Sequence, residues 1–168
     1  MSPEDICRRL GEAKTSAMFL ELTTDAMKKV LREAKLPTTR LASHTSTRRR
    51  NEDWAQKLWR SLAEKPLTTT AATLLFEWLS RTRRPMLAEF LTGLEVQHDN
   101  GLTDADFMTA AAPEKLREHG KKLLEHYDKQ EVAAYLLFLD ATNKSEVFAE
   151  LGLEPLLAPP PPVAAQAP

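Results

Sequence analysis

Apolar side chains recur at spacings of three and four along most of this chain, the period that gathers them on one face of an α-helix. Met27, Val30, Leu31 and Ala34 form one such stripe, and Trp54, Leu58 and Leu62 another, with Trp59 at its edge. Met86, Leu87, Phe90 and Leu91 make a third, and Leu116, Leu123, Leu124 and Tyr127 a fourth. Two stretches differ in kind. Leu74, Leu75, Phe76, Trp78 and Leu79 spread over most of a helical wheel, and so do the residues from Val132 to Leu139. Helices apolar on nearly every side belong inside a bundle, with neighbours all round. No run alternates apolar and polar residues as a half-buried strand does, so the pattern predicts an all-α fold.

Starts and stops between the stripes set the elements. Ser2-Pro3-Glu4-Asp5 is a helix start, with Ser2 as cap, Pro3 in the first position and Asp5 completing a capping box. Ile6, Leu10, Ala13 and Ala17 line one side of that helix, which either runs on into AMFLEL or breaks near Thr15. Thr23 or Thr24 caps the next helix, through Lys35; Leu36-Pro37 ends it, because a residue before proline avoids the helical region. Asn51 caps a third helix, with Glu52 and Asp53 in its first turn, and Lys65-Pro66 closes it. Thr68 to Thr70 lead into the first all-apolar helix, and the polar link Ser80 to Arg84 is its exposed tip. Pro85 opens a short outer helix, which Gly93-Leu94 stops as a left-handed glycine followed by an apolar residue that folds back. Asp99-Asn100-Gly101 is a turn, and Thr103 with Asp106 caps a short helix through Met108. Pro113 opens a helix that carries Gly120 on its stripe. Glycine there costs about 1 kcal/mol against alanine, which points to close approach by another helix. Ser145 to Leu151 is a last short helix, ended by Gly152-Leu153.

A chain of 168 residues fits one domain. The elements give seven to nine helices over residues 1–157, with a mobile basic loop at 37–50 and a disordered proline- and alanine-rich tail at 158–168. Inside the domain, Leu74 to Glu95 and Leu136 to Glu154 both begin Leu-Leu-Phe, pass through a short polar link and finish Gly-Leu-Glu. Phe19 to Pro37 is a fainter third copy, with Lys35 where the glycine would be. The expectation is two or three helical hairpin units resembling a short helical-repeat stack.

Charge adds an asymmetry that the net value of −1 conceals. Residues 1–85 hold 17 basic and 10 acidic side chains, residues 86–168 only 6 and 14. The positive excess concentrates between Lys28 and Arg60. Lys28, Lys29 and Arg32 decorate one helix; Arg40, Arg48, Arg49 and Arg50 lie in the loop; Lys57 and Arg60 stand on the helix after it. Arg83 and Arg84, in the tip, extend the basic face. Such a surface could contact phosphates and gain affinity from counterion release, or dock on an acidic protein surface.

Groups capable of catalysis are not spaced for it. There is no phosphate-cradling glycine loop and no nucleophile elbow. His119 and His126 are seven apart on one helix flank, where metal ligands need three or four. His98-Asp99-Asn100-Gly101, with Asp104 and Asp106 beyond, does not match a calcium loop and reads as turn plus cap. Cys7 stands alone beside Ile6 and reads as a small buried hydrophobe. These residues suggest no enzyme, no cofactor, no metal and no small-molecule ligand. The N-terminus lacks the basic-then-apolar order of a signal peptide, and Val132 to Leu139 is too short to span a bilayer, so the expected location is the cytoplasm, away from membranes. The expected function is a non-catalytic interaction, scaffold or adaptor module that binds another protein or itself. The alternative is nucleic-acid binding through Lys28–Arg60.

Overall fold

The structure, a computed structural model, describes residues 1–38 and 48–158, with side chains for all of these except residues 48–50. Among the described residues it forms eight α-helices and no β-strand: α1 (Pro3–Leu20), α2 (Thr24–Glu33), α3 (Arg48–Glu64), α4 (Thr68–Thr82), α5 (Arg84–Gly93), α6 (Phe107–Ala110), α7 (Pro113–His126) and α8 (Lys129–Asn143). No helix among them is long and apolar enough to cross a membrane.

α1 begins with the expected capping box, Ser2 Oγ accepting the Asp5 amide while the Asp5 carboxylate accepts from Ser2. Its break falls at Gly11, not near Thr15. There φ is 79° and ψ 172°, a region essentially confined to glycine. The register of the buried face shifts at that point. Ile6, Cys7 and Leu10 are buried before it and Thr15, Met18 and Phe19 after it, which leaves Ala13 and Ala17 exposed. The Thr15 hydroxyl donates to the Cys7 carbonyl at 3.0 Å across the break. Desolvation by burial pushes the Cys7 thiol up to about 12.

α2 and α5 end alike, in a left-handed residue followed by an apolar one whose amide reaches back. In α2 these are Lys35 (φ 55°) and Leu36, whose amide meets the Leu31 carbonyl at 2.8 Å. In α5 they are Glu95 (φ 61°) and Val96, bonded to Leu91 at 3.0 Å. Gly93 is therefore not the left-handed residue; it is the last residue of the helix. A Cβ there would stand 2.2 Å from Nδ1 of His119 on α7, so the glycine makes room for an imidazole. Gly120, on α7, is the expected point of close approach: a Cβ would meet Leu136 at 3.1 Å and Leu151 at 3.2 Å.

α3 starts at Arg48, so Arg48, Arg49 and Arg50 continue the helix instead of standing in the loop, and Asn51 lies inside it rather than capping it. Arginine is a better helix former than the serine, threonine and asparagine around it, which favours this extension. Positions 39–47 of the expected mobile loop, and 159–168 of the expected tail, lie outside the described residues.

The core sits around α4 and α8. α4 packs against α1, α2, α5 and α8, while α8 packs against α1, α4, α7 and the 3₁₀ turn Glu154–Leu157. Leu74, Leu75, Trp78 and Leu79 are buried, as is every residue from Val132 to Phe138. Phe76 is the exception in α4. After α8 the expected helix is replaced by a turn and one 3₁₀ turn, Ala149–Leu151, ended by left-handed Gly152 (φ 60°). The buried Asp140 carboxylate organises this bend, accepting the Ser145 hydroxyl at 2.6 Å and the amides of Val147 and Phe148 at 3.1 and 3.0 Å. Thus α4 and α5 form a helical hairpin, whereas in Leu136 to Glu154 the half of α8 is followed by short turns.

Candidate interaction surface

The basic residues singled out in the sequence are spread over α2, α3 and the junction of α4 and α5. α2 packs on α4, and α3 packs on α1. Lys28 pairs with Asp25 at 3.8 Å, and Lys29 Nζ lies 2.7 Å from Glu77 Oε1 and 6.0 Å from the Phe76 ring. Lys57 stands 4.6 Å over the Trp54 ring, while Arg32 and Arg60 are exposed. Arg48, Arg49 and Arg50 have helical backbone, and Arg40 is outside the described residues.

Arg83 and Arg84 do not extend a basic face. α4 runs through Ser80 to Thr82, so the expected tip is mostly helix, and Ser80 is buried. Arg84 Nε donates to the Ser80 carbonyl at 2.8 Å and so caps α4. Arg83 turns inward. Its guanidinium lies 4.8 Å over the Trp78 ring, pairs with Glu131 of α8 and reaches Glu21 Oε2 at 3.0 Å. Trp78 Nε1 donates to the same Glu21 oxygen at 2.9 Å, and Lys14 holds Glu131 Oε1 at 2.7 Å. One knot of two cations, two carboxylates and an indole thus ties α1, α4 and α8 together. Glu77 is a second such point: it is buried, and Lys29 and Arg81 both hold it at 2.7 Å. Desolvation pushes the Glu77 and Glu131 carboxyls up, but the hydrogen bonds and charges of their basic partners outweigh it and hold both below the ordinary glutamate value. A trace of this was readable. Glu77 is the one acid inside an otherwise apolar run and Glu131 immediately precedes another, and an acid so placed must find a cation.

His98 does face a hollow. A shallow, open depression of about 740 Å³ is lined by His98, Glu95, Asp99, Asp104, Thr92 and Thr103 among others. His98 Nδ1 accepts the Gly101 amide at 3.1 Å. The neutral ring therefore carries its proton on Nε2 and donates it to Thr92 Oγ1, 2.9 Å away. A ring in that tautomer cannot take a proton from Thr92. It pins a two-residue turn in which Asn100 (φ 46°) and Gly101 (φ 85°) are both left-handed, the hairpin-turn geometry. Asp106, not Thr103, caps α6, accepting the Thr109 amide at 3.3 Å; the Thr103 hydroxyl is occupied by Gln97 and Ala105. Among the described residues no group of three or more His, Cys, Asp or Glu could hold a metal ion.

The surface feature missed in the sequence is apolar. Phe76 was expected inside; it is 52% exposed, and it and Met1 are the large apolar side chains that stand in solvent among the described residues. Phe76 borders a groove of about 130 Å³ lined also by Leu79, Leu91, Leu102, Phe107, Tyr135 and Phe138. Lys29 Nζ, 6.0 Å from the Phe76 ring, and Arg81 are both engaged with buried Glu77, the next residue on α4. Phe76 lies in a continuous apolar run, and its outward position depends on how α4 rotates against α1 and α2, which one helix's sequence does not contain.

Comparison of the chain with protein-family models, with curated proteins and with solved structures finds no match.

Proposed function

We propose that this protein is a non-catalytic helical interaction module, a scaffold or adaptor that binds a protein partner at the groove beside Phe76. The observation that carries this reading is the exposed Phe76 ring next to an apolar groove. Interface anchors are aromatic residues of this kind, set in apolar surface and rimmed by charge. The test replaces Phe76 with a photo-crosslinking phenylalanine analogue in the native host, with the same analogue at exposed Lys121 on α7 as control. Discrete protein adducts from position 76 and none from 121 are expected. Equal, diffuse labelling at both positions would remove the proposal.

A second reading, nucleic-acid binding, is favoured by the extension of α3 to Arg48. That one helix carries Arg48, Arg49, Arg50, Lys57 and Arg60. If it binds duplex DNA, replacing Arg48, Arg49 and Arg50 by alanine shrinks the slope of log affinity against log salt by up to about 0.9 per lost phosphate contact. Absence of binding to duplex or single strands at low salt ends this reading.

A further inference from the structure

We propose that Asn100 is a conditional modification site: it deamidates when the 99–102 turn opens, and His98 keeps it intact while the turn is closed. Asparagine is a thermolabile residue, and the glycine after it, Gly101, has no side chain to shield its own amide nitrogen. In an open chain that nitrogen attacks the side-chain carbonyl carbon of Asn100. A bond forms from Gly101 N to Cγ, the bond from Cγ to Nδ2 breaks, and ammonia leaves with the proton that the Gly101 amide gives up. Water then opens the cyclic imide at one carbonyl or the other and leaves aspartate or isoaspartate.

Three features of the folded turn deny the nitrogen that freedom. The Gly101 N–H donates to His98 Nδ1 at 3.1 Å, and His98 is itself fixed, its Nε2 lying 2.9 Å from Thr92 Oγ1. Gly101 is buried against α5: a Cβ on it would lie 2.7 Å from the Arg84 carbonyl oxygen and 2.9 Å from Leu87 Cβ. Swinging its amide towards the Asn100 side chain therefore requires lifting the residue off α5. Reciprocal backbone bonds between Asp99 and Leu102, 2.8 and 3.0 Å long, close the turn. Asn100 is exposed, so water reaches its side chain. The same bonds make the change one-way. Isoaspartate carries the main chain through its side-chain carbon, and the longer backbone no longer fits between Asp99 and Leu102. Gly101 and Leu102 also line the groove beside Phe76, so the modified chain has an altered wall there.

The test is incubation of the full chain at neutral pH, in buffer and in enough urea to unfold it, with isoaspartate at position 100 read by peptide mapping. In urea, conversion should be fast at Asn100 and slow at Asn143, which a lysine follows. In buffer, Asn100 should convert about tenfold more slowly or less than that, because the rate follows the population of the open turn. His98→Ala, checked for unchanged helicity, should convert several-fold faster than the wild type in buffer and at the same rate in urea. His98→Gln, whose amide oxygen can accept the Gly101 N–H, should restore part of the protection. If His98→Ala loses helicity, Thr92→Val, which frees the other nitrogen of the ring at an exposed position, is read in its place and should also convert faster in buffer. A wild type that converts as fast in buffer as in urea overturns the proposal, and so does an Asn100 that stays intact in urea. A His98→Ala chain unchanged in buffer shows that His98 is not the lock. One that converts more slowly shows the imidazole acting as a base instead, and either result overturns the proposal.

Discussion

Arg83, at the junction of α4 and α5, grips Glu131 of α8 with two parallel hydrogen bonds, Nε to Oε2 and Nη2 to Oε1, each 2.6 Å long. The two side chains are only 22% and 15% exposed, so this is a desolvated fork and not a surface pair. Removing either partner takes the fork away and leaves the other charge with one remaining partner, Glu21 for Arg83 and Lys14 for Glu131. Arg83→Ala or Glu131→Ala should each cost about 2 kcal/mol in urea unfolding. Arg83→Lys should not rescue, because an ammonium cannot make the two-point contact. The double variant Arg83→Met/Glu131→Leu, which removes this pair together but leaves Lys14 and Glu21 without it, should recover part of that loss. A double variant as unstable as the singles would show that packing over Trp78, not charge, carries the site.

Acid should loosen the fold through the same carboxylates. Glu131 and Glu77 have folded pKa values below the 4.5 of a free glutamate, so the unfolded chain binds their protons more readily. The stability they add is fully present above that unfolded value and drains away as pH falls through the folded ones. Tm should hold steady above about pH 5 and drop below it, and Glu131→Gln should start lower and fall less steeply. Equal slopes for the two proteins over that range would exclude Glu131 as a source of the acid sensitivity.

Gly93 and His119 make a size-matched pair. Gly93→Ala alone should destabilise, since its Cβ would lie 2.2 Å from the imidazole Nδ1. In a His119→Ala background the obstacle is gone and Gly93 is helical, so the same substitution should stabilise by up to about 1 kcal/mol. A change of sign between the two backgrounds, read by thermal unfolding, is the expected result. The same sign in both would mean that His119 is not what selects glycine there.

The inner helices should be the most sensitive to truncation. Leu75 and Leu136 are both fully buried, one on each central helix. Leu75→Ala and Leu136→Ala should each cost about 2–5 kcal/mol in equilibrium unfolding. A cost below about 0.5 kcal/mol at either position would place that helix at the surface.

Which features were legible in the chain follows from where their causes lie. Ser2-Pro3-Glu4-Asp5, Gly120 and the Asn100-Gly101 turn were readable because each satisfies a local rule of capping, close approach or left-handed backbone. Gly93 was misread for the same reason: a glycine before a leucine resembles a helix stop, and its real cause is a histidine 26 residues further on. The two wheels apolar on all sides did mark the central helices, but the wheel could not show that α4 turns Phe76 outward. The basic segment was visible as composition alone. Which of its cations stay in solvent depends on Glu77, Glu131 and Glu21, acids distant in sequence that claim Lys29 and Arg83.

Asp140 makes the end of the chain report on the whole. Its carboxylate fixes the amides of Val147 and Phe148, and the Phe148 ring and Leu157 beyond are buried in the common core. Those two amide protons can exchange with solvent only when the carboxylate lets go. If the segment after α8 peels away by itself, they exchange faster than the amides in the middle of α8; if it opens only with the rest, the rates converge at the free energy of global unfolding. Hydrogen exchange at two adjacent backbone positions therefore measures whether this domain melts as one cooperative unit or frays first from its C-terminal side.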